Sequence, residues 1–167
     1  MSEIPAPSLD GLPDRSTCRE LIEIDTLPEA GPALDALLMV VRGKLQEVTE
    51  GLLKTQRHII DGTESVRDAM DALFELRSDL SRTIARIKSA QARAAGETHV
   101  QVFRPDQAAR VLAQNVDLAV RFGIDAELAT KFINNLMGSS ITIQMQVIED
   151  LGLECTIAGQ DGAASSP

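Results

Sequence analysis

The stretch LFELRSDLSRTIARIK, residues 73–88, decides how the chain reads. Leu73, Leu80, Ile84 and Ile87 recur at spacings of three, four and seven, which makes it an amphipathic helix with one apolar face. Two cations interrupt that face. Arg77 lies one turn after Leu73, and Lys88 follows Ile84 by four residues. Eleven residues make close to three turns, so both cations stand on nearly one line, about 16 Å apart. A second helix repeats the anomaly: Phe132, Leu136, Val147 and Leu151 form a stripe whose middle is held by Ser140 and Gln144. An uncompensated charge or amide in such a position is costly to bury, yet Glu75 and Asp79 point elsewhere around the first helix and Glu149 lies beyond the polar pair. Two readings remain open. The cations snorkel, with stems packed and heads in water, or the two stripes meet around a pocket whose counter-charge arrives with a small anion bearing carboxylates and an ether or hydroxyl oxygen.

Composition narrows the context. The chain has 167 residues, enough for one ordinary domain with a core. Apolar residues make up 44% but aromatics only 2%, so aliphatic side chains do the packing, as a helical bundle allows. A formal charge of −9 and a pI near 4.7 disfavour nucleic acid and anionic membranes as partners. Local cations still bind a small anion, because salt screens the global field within about 10 Å. Cys18 and Cys155 are too few for a disulfide framework, and neither His58 nor His99 has neighbours at metal-ligand spacing. The N-terminal residues have no basic and apolar leader pattern, and the longest apolar run, ALLMVV at 36–41, is too short to span a bilayer. A soluble, cytoplasmic protein is expected.

Residues 1–32 hold five of the seven prolines and no sustained period, and read as an irregular or disordered segment. Residues 33–60 read as an additional helix opened by Pro32 and weakened by Gly43 and Gly51. DGT at 61–63 breaks it, with Thr63 available as a cap for a long helix over 64–95. Residues 95–103 form a connecting loop in which only THVQVF alternates like a strand. Pro105 opens the next helix, Gly123 ends it, and Asp125 caps the last one, which runs to about Leu151. A helical domain over 61–152 and a disordered tail over 153–167 complete an all-α chain.

LFELRSDLSRTIARIK, VFRPDQAARVL, AVRFGIDAELATKFINNLM and SSITIQ, in that order, resemble the all-helical (type II) chorismate mutase family across about residues 64–150. In that family a first-helix arginine precedes a lysine by eleven residues, as Arg77 precedes Lys88. A glutamine follows a serine by four on the third helix, as Gln144 follows Ser140. The resemblance implies an intertwined homodimer of three-helix chains, a chorismate-like dicarboxylate as substrate and no cofactor or metal. The additional helix would brace the dimer. The family's reaction turns chorismate into prephenate, in aromatic or specialised metabolism. By resemblance Arg77 clamps a carboxylate, Lys88 and Gln144 donate to the ether oxygen, and Ser140 contacts the ring carboxylate.

Departures qualify the resemblance. Where the family has a glutamate for the ring hydroxyl, this chain has Ala108; the arginine before it is Gln107, and an aspartate three residues further back is Arg104. The arginine donated across the dimer falls at Ile60, with Arg57 one turn upstream as its replacement. Arg104 offers a new contact to a different ring substituent. Loss of the glutamate is similar to isochorismate–pyruvate lyases, and a 4-amino-4-deoxychorismate mutase is a further alternative that Ala108 counts against. A non-catalytic binding or regulatory protein that kept the fold is the rival from another class.

Overall fold

The computed structural model describes residues 4–29 and 31–157. Along the chain run α1 (Arg15–Ile22), α2 (Pro32–Ile60), a 3-10 turn (Glu64–Val66), α3 (Arg67–Ala94), β1 (His99–Phe103), α4 (Pro105–Arg121), α5 (Ala126–Asp150) and β2 (Glu154–Ile157). The all-α class holds, with a small parallel pairing of β1 and β2 added to it.

α2 and α3 are antiparallel partners, since Gln91 donates to Asp35 at one end (2.6 Å) and Arg77 donates to Thr49 further along (3.2 Å). Gly51 sets how closely they approach. A Cβ there would stand 3.2 Å from methyl carbons of both Leu73 and Leu12, tighter than side chains ordinarily pack. The glycine that weakens the helix in sequence therefore serves its packing. Leu34, Val41, Val48, Leu52 and Leu53 of α2 are each at most 1% exposed. Burying each such side chain contributes about 1.5–3 kcal/mol, so α2 belongs to the core of its own chain. α5 runs parallel to α3 on another side, and α4 closes the bundle: Gly123 (φ 88) reverses the chain after it while Asp125 accepts from the Leu128 amide (3.1 Å) to start α5.

Three expectations are corrected. The segment before α2 is not without structure. Asp14 accepts from the Thr17 amide (2.9 Å) and its own amide donates to the Thr17 hydroxyl (3.1 Å), a capping box that starts α1. Cys18 then enters the core, Arg15 pairs with Asp79 (2.6 Å), and Thr83 and Arg86 donate to the carbonyls of Leu21 and Ile24. An eight-residue helix between extended stretches shows too little period to be read. Thr63 makes no cap bond either; the 3-10 turn leads into α3 instead. Of the expected tail, residues 154–157 form β2, and AGQDGAASSP lies outside the described residues. Among the described residues no helix is long and apolar enough to cross a membrane.

Candidate active site

The two interrupted stripes do meet. Arg77, only 8% exposed, reaches from α3 to α5, where its Nη1 donates to the Leu136 carbonyl and to Ser140 Oγ, both at 2.7 Å. Its Nε donates to Thr49 on α2, and Ser140 shares a 2.8 Å hydrogen bond with Ser81. Each of these acceptors is neutral. Burial lowers the guanidinium to about 10, which leaves it charged at neutral pH. Three turns along, the Lys88 ammonium donates to Gln144 Oε1 at 3.0 Å. Burial first, then the nearby cations Arg42 and Arg104, push Lys88 down to about 8.

Between these pairs lies a cavity of about 240 Å³. α3 supplies Arg77 and Lys88, α5 supplies Ser140 and Gln144, and Arg104, Gln107, Ala108 and Asn115 line it from the start and body of α4. Ile84, Val111, Ile133 and Leu136 give it apolar walls, and among the described residues no carboxylate lines it. A second recess of about 330 Å³, the mouth of the first, shares Arg42, Lys88, Val102, Arg104 and Gln107 with it and is lined by one carboxylate, Glu97. Local sequence explains the arrangement: the polar residues replace apolar ones on inward faces of otherwise apolar helices, so folding the bundle carries them inside.

α2 contributes what the sequence reading missed. Arg42, Gln46 and Thr49 stand at spacings of four and three on one face and line the cavity. Gln46 and Asn115 exchange amide hydrogen bonds across it, at 2.8 and 3.3 Å. Burial and Arg104 lower the Arg42 guanidinium as well. The signal was present in the same form as at Arg77, a polar stripe inside an apolar helix, but α2 lay outside the resemblance.

Arg57 is not brought to the cavity. It donates to the Ile4 carbonyl (2.8 Å) and pairs with Asp61, beside Gly123, and Ile60 is 48% exposed at the end of α2. Residue 57 stands far along α2 from Arg42 and does not line its own chain's cavity; the role expected of it, donation across a dimer, concerns the cavity of a second copy. His58, too, is engaged, with the Pro7 carbonyl at 2.8 Å.

Residues 66–145 match the family model for chorismate mutase type II, which bears out the resemblance over the helices that carry Arg77, Lys88, Ser140 and Gln144. No curated protein and no solved structure matches the chain.

Proposed function

We propose that the cavity binds chorismate, or a close cyclohexadiene dicarboxylate, and rearranges it to prephenate. One observation carries this reading: Arg42, Arg77, Lys88 and Arg104 surround a cavity that no carboxylate among the described residues lines, so the neutralising charge is left for a ligand. Arg77, fixed by Thr49, Leu136 and Ser140, takes one carboxylate through its remaining donors. Arg42 and Arg104 take the other near the mouth. The substrate is thereby folded into its reactive conformer, an orientation effect that can supply up to about 7–11 kcal/mol in well-aligned intramolecular reactions. As the carbon–oxygen bond lengthens and the carbon–carbon bond forms within the same molecule, negative charge grows on the ether oxygen. Lys88 and the Gln144 amide donate to it. No proton leaves the substrate and nothing is oxidised. Ser140 holds Arg77 and has its own proton for Ser81 or the ring carboxylate.

The reading makes one chain sufficient. The resemblance assigns the neighbour of the long first helix to a second chain, but here α2 of the same chain lies along α3 and brings Arg42. A homodimer is therefore not needed to complete the cavity. Ala108 favours a second reading, cleavage of isochorismate to pyruvate and salicylate, because an apolar wall replaces the acceptor for a ring hydroxyl. Incubating the protein separately with chorismate, isochorismate and 4-amino-4-deoxychorismate and separating the products by chromatography against prephenate and salicylate standards decides between rearrangement, which leaves the mass unchanged, and cleavage, which does not. Product from the unaltered chain and none from Lys88→Ala supports an enzyme; no product from any of the three leaves a binding protein.

A further inference from the structure

The paired strands take no part in the chemistry above, yet they sit where the mouth is made. β1 turns Val100 and Val102 inward and runs directly into Arg104, the last residue before Pro105 opens α4. Val102 and Arg104 line both recesses. Whatever holds β1 therefore decides where Arg104 stands.

β2 is what holds it. After α5, Gly152 (φ 82) turns the chain back, and the Leu153 amide donates to the Ile148 carbonyl at 3.1 Å. Leu153 packs with Val100, Val102, Ile148 and Ala85 in a cluster separate from the main core. The Glu154 amide donates to the Thr98 carbonyl (2.9 Å), Glu154 pairs with His99 (2.7 Å), and Val100 registers against Cys155 and Gln101 against Thr156. A bulge between Gln101 and Phe103 ends the regular ladder just before Arg104.

We propose that β2 is a positioning clasp: by pairing with β1 it holds Val102 and Arg104 over the cavity and ties the mouth to the end of α5, the helix that carries Ser140 and Gln144. The clasp itself stands on the strand geometry; only its effect on turnover rests on the function proposed above. Two short strands are marginal alone, so local opening of this pair is the natural low-energy excursion of the fold. Opening removes a substrate contact without disturbing Lys88 or Gln144, and apparent affinity falls in proportion to the clasped fraction.

Three altered chains test this: Glu154→Pro, which removes the β2 amide that donates to the Thr98 carbonyl, a chain ending at Leu153, and Arg104→Ala. The first readout needs no ligand. Titration of the Lys88 ammonium by nuclear magnetic resonance is expected to move upward in all three, because Arg104 ceases to repel it, and adding Glu154→Pro to Arg104→Ala should move it no further. The proposal is overturned if Arg104→Ala raises Lys88 and the strand variants do not, or if none of them raises it. Loss of helicity in both strand variants would also overturn it, since β2 would then be part of the core. The second readout is turnover of chorismate: if the clasped fraction falls to about a tenth, KM rises about tenfold with kcat little changed. Should the unaltered chain not turn over chorismate, the functional reading fails and the titration alone judges the clasp.

Discussion

Lys88 on α3 and Gln144 on α5 share a 3.0 Å hydrogen bond that orients both side chains. Because the ammonium donates to Oε1, the amide's own N–H groups remain free, and Lys88 keeps two further protons to give. Two donors thus converge from two helices with no carboxylate among the described cavity-lining residues to compete for them. Such a pair suits an oxygen that gains charge during reaction.

The protonation state of Lys88 should govern the pH profile. Burial and the neighbouring arginines put it at about 8, and the charged form is the useful donor. For the free protein kcat/KM is expected to fall about tenfold per pH unit above that value. A bound dianion favours the ammonium, so kcat should fail only at higher pH. Lys88→Gln keeps a donor without a titrating charge and should show a low, flat profile. Stability has its own sign: the unfolded chain holds this proton where the folded one does not, so the burial penalty is present below pH of about 8 and lifts as pH rises toward 10.5. Steady-state kinetics and thermal melts across pH 6–10, a range chosen to bracket this group, check both.

Arg77→Met should separate stability from activity. Removing the guanidinium strands none of its partners: Thr49 still donates to the Leu45 carbonyl (2.9 Å), Ser140 keeps Ser81 (2.8 Å), and Leu136 keeps its helical bond. A buried cation without a carboxylate is meanwhile replaced by an apolar chain of similar length, a change that is often neutral or stabilising by about 1–4 kcal/mol. Melting is expected to be unchanged or higher. Loss of a desolvated carboxylate clamp costs about 2–5 kcal/mol, so kcat/KM should drop by about 30-fold or more. A fall in both quantities would mean that Arg77 is structural.

The helices were legible because each long one has a clear period and punctuation: Pro32, Pro105, Gly123 and Asp125 all stand where the structure starts or stops a helix. Half of the cavity was legible for a different reason. Arg77, Lys88, Ser140 and Gln144 violate their stripes, and a family spacing gave the violation a meaning. Arg42 violates its stripe equally, but a single helix does not reveal which neighbour it will face; only the antiparallel packing of α2 on α3 does that. Arg57 lies outside its own chain's cavity because its place along α2, not its sequence distance from Arg77, sets its reach within one chain. α1 and the strands are short and depend on contacts far away in sequence, so local pattern gave little sign of them.

The two interior glycines of α2 should respond oppositely. Gly43 is exposed and has open space where a Cβ would go. Gly43→Ala is expected to stabilise by about 0.5–1 kcal/mol through helix propensity alone. Gly51→Ala gains the same propensity but presses a methyl against Leu73 and Leu12 at 3.2 Å, and Leu73 is only 2% exposed. Overpacking a filled core costs about 1–3 kcal/mol, so the net effect should be destabilising. Paired thermal melts resolve the difference.

Arg42 and Arg57 provide the sharpest contrast, since both are arginines on α2 and only the first lines the cavity. Arg42→Ala should raise KM for chorismate about tenfold to a hundredfold, by loss of one cationic contact at a partly desolvated site, with little change in melting. Arg57→Ala should leave kinetics alone and lower the melting temperature, because it releases the Ile4 carbonyl and Asp61. The same logic fixes the working unit. If Arg42 of each chain serves its own cavity, specific activity stays constant on dilution, and mixing Arg42→Ala chains with Arg77→Met chains restores nothing. Were the second clamp to come from another copy, mixed dimers would regain one intact cavity and activity would reappear. A complementation assay over a range of protein concentrations therefore tests the single-chain site directly.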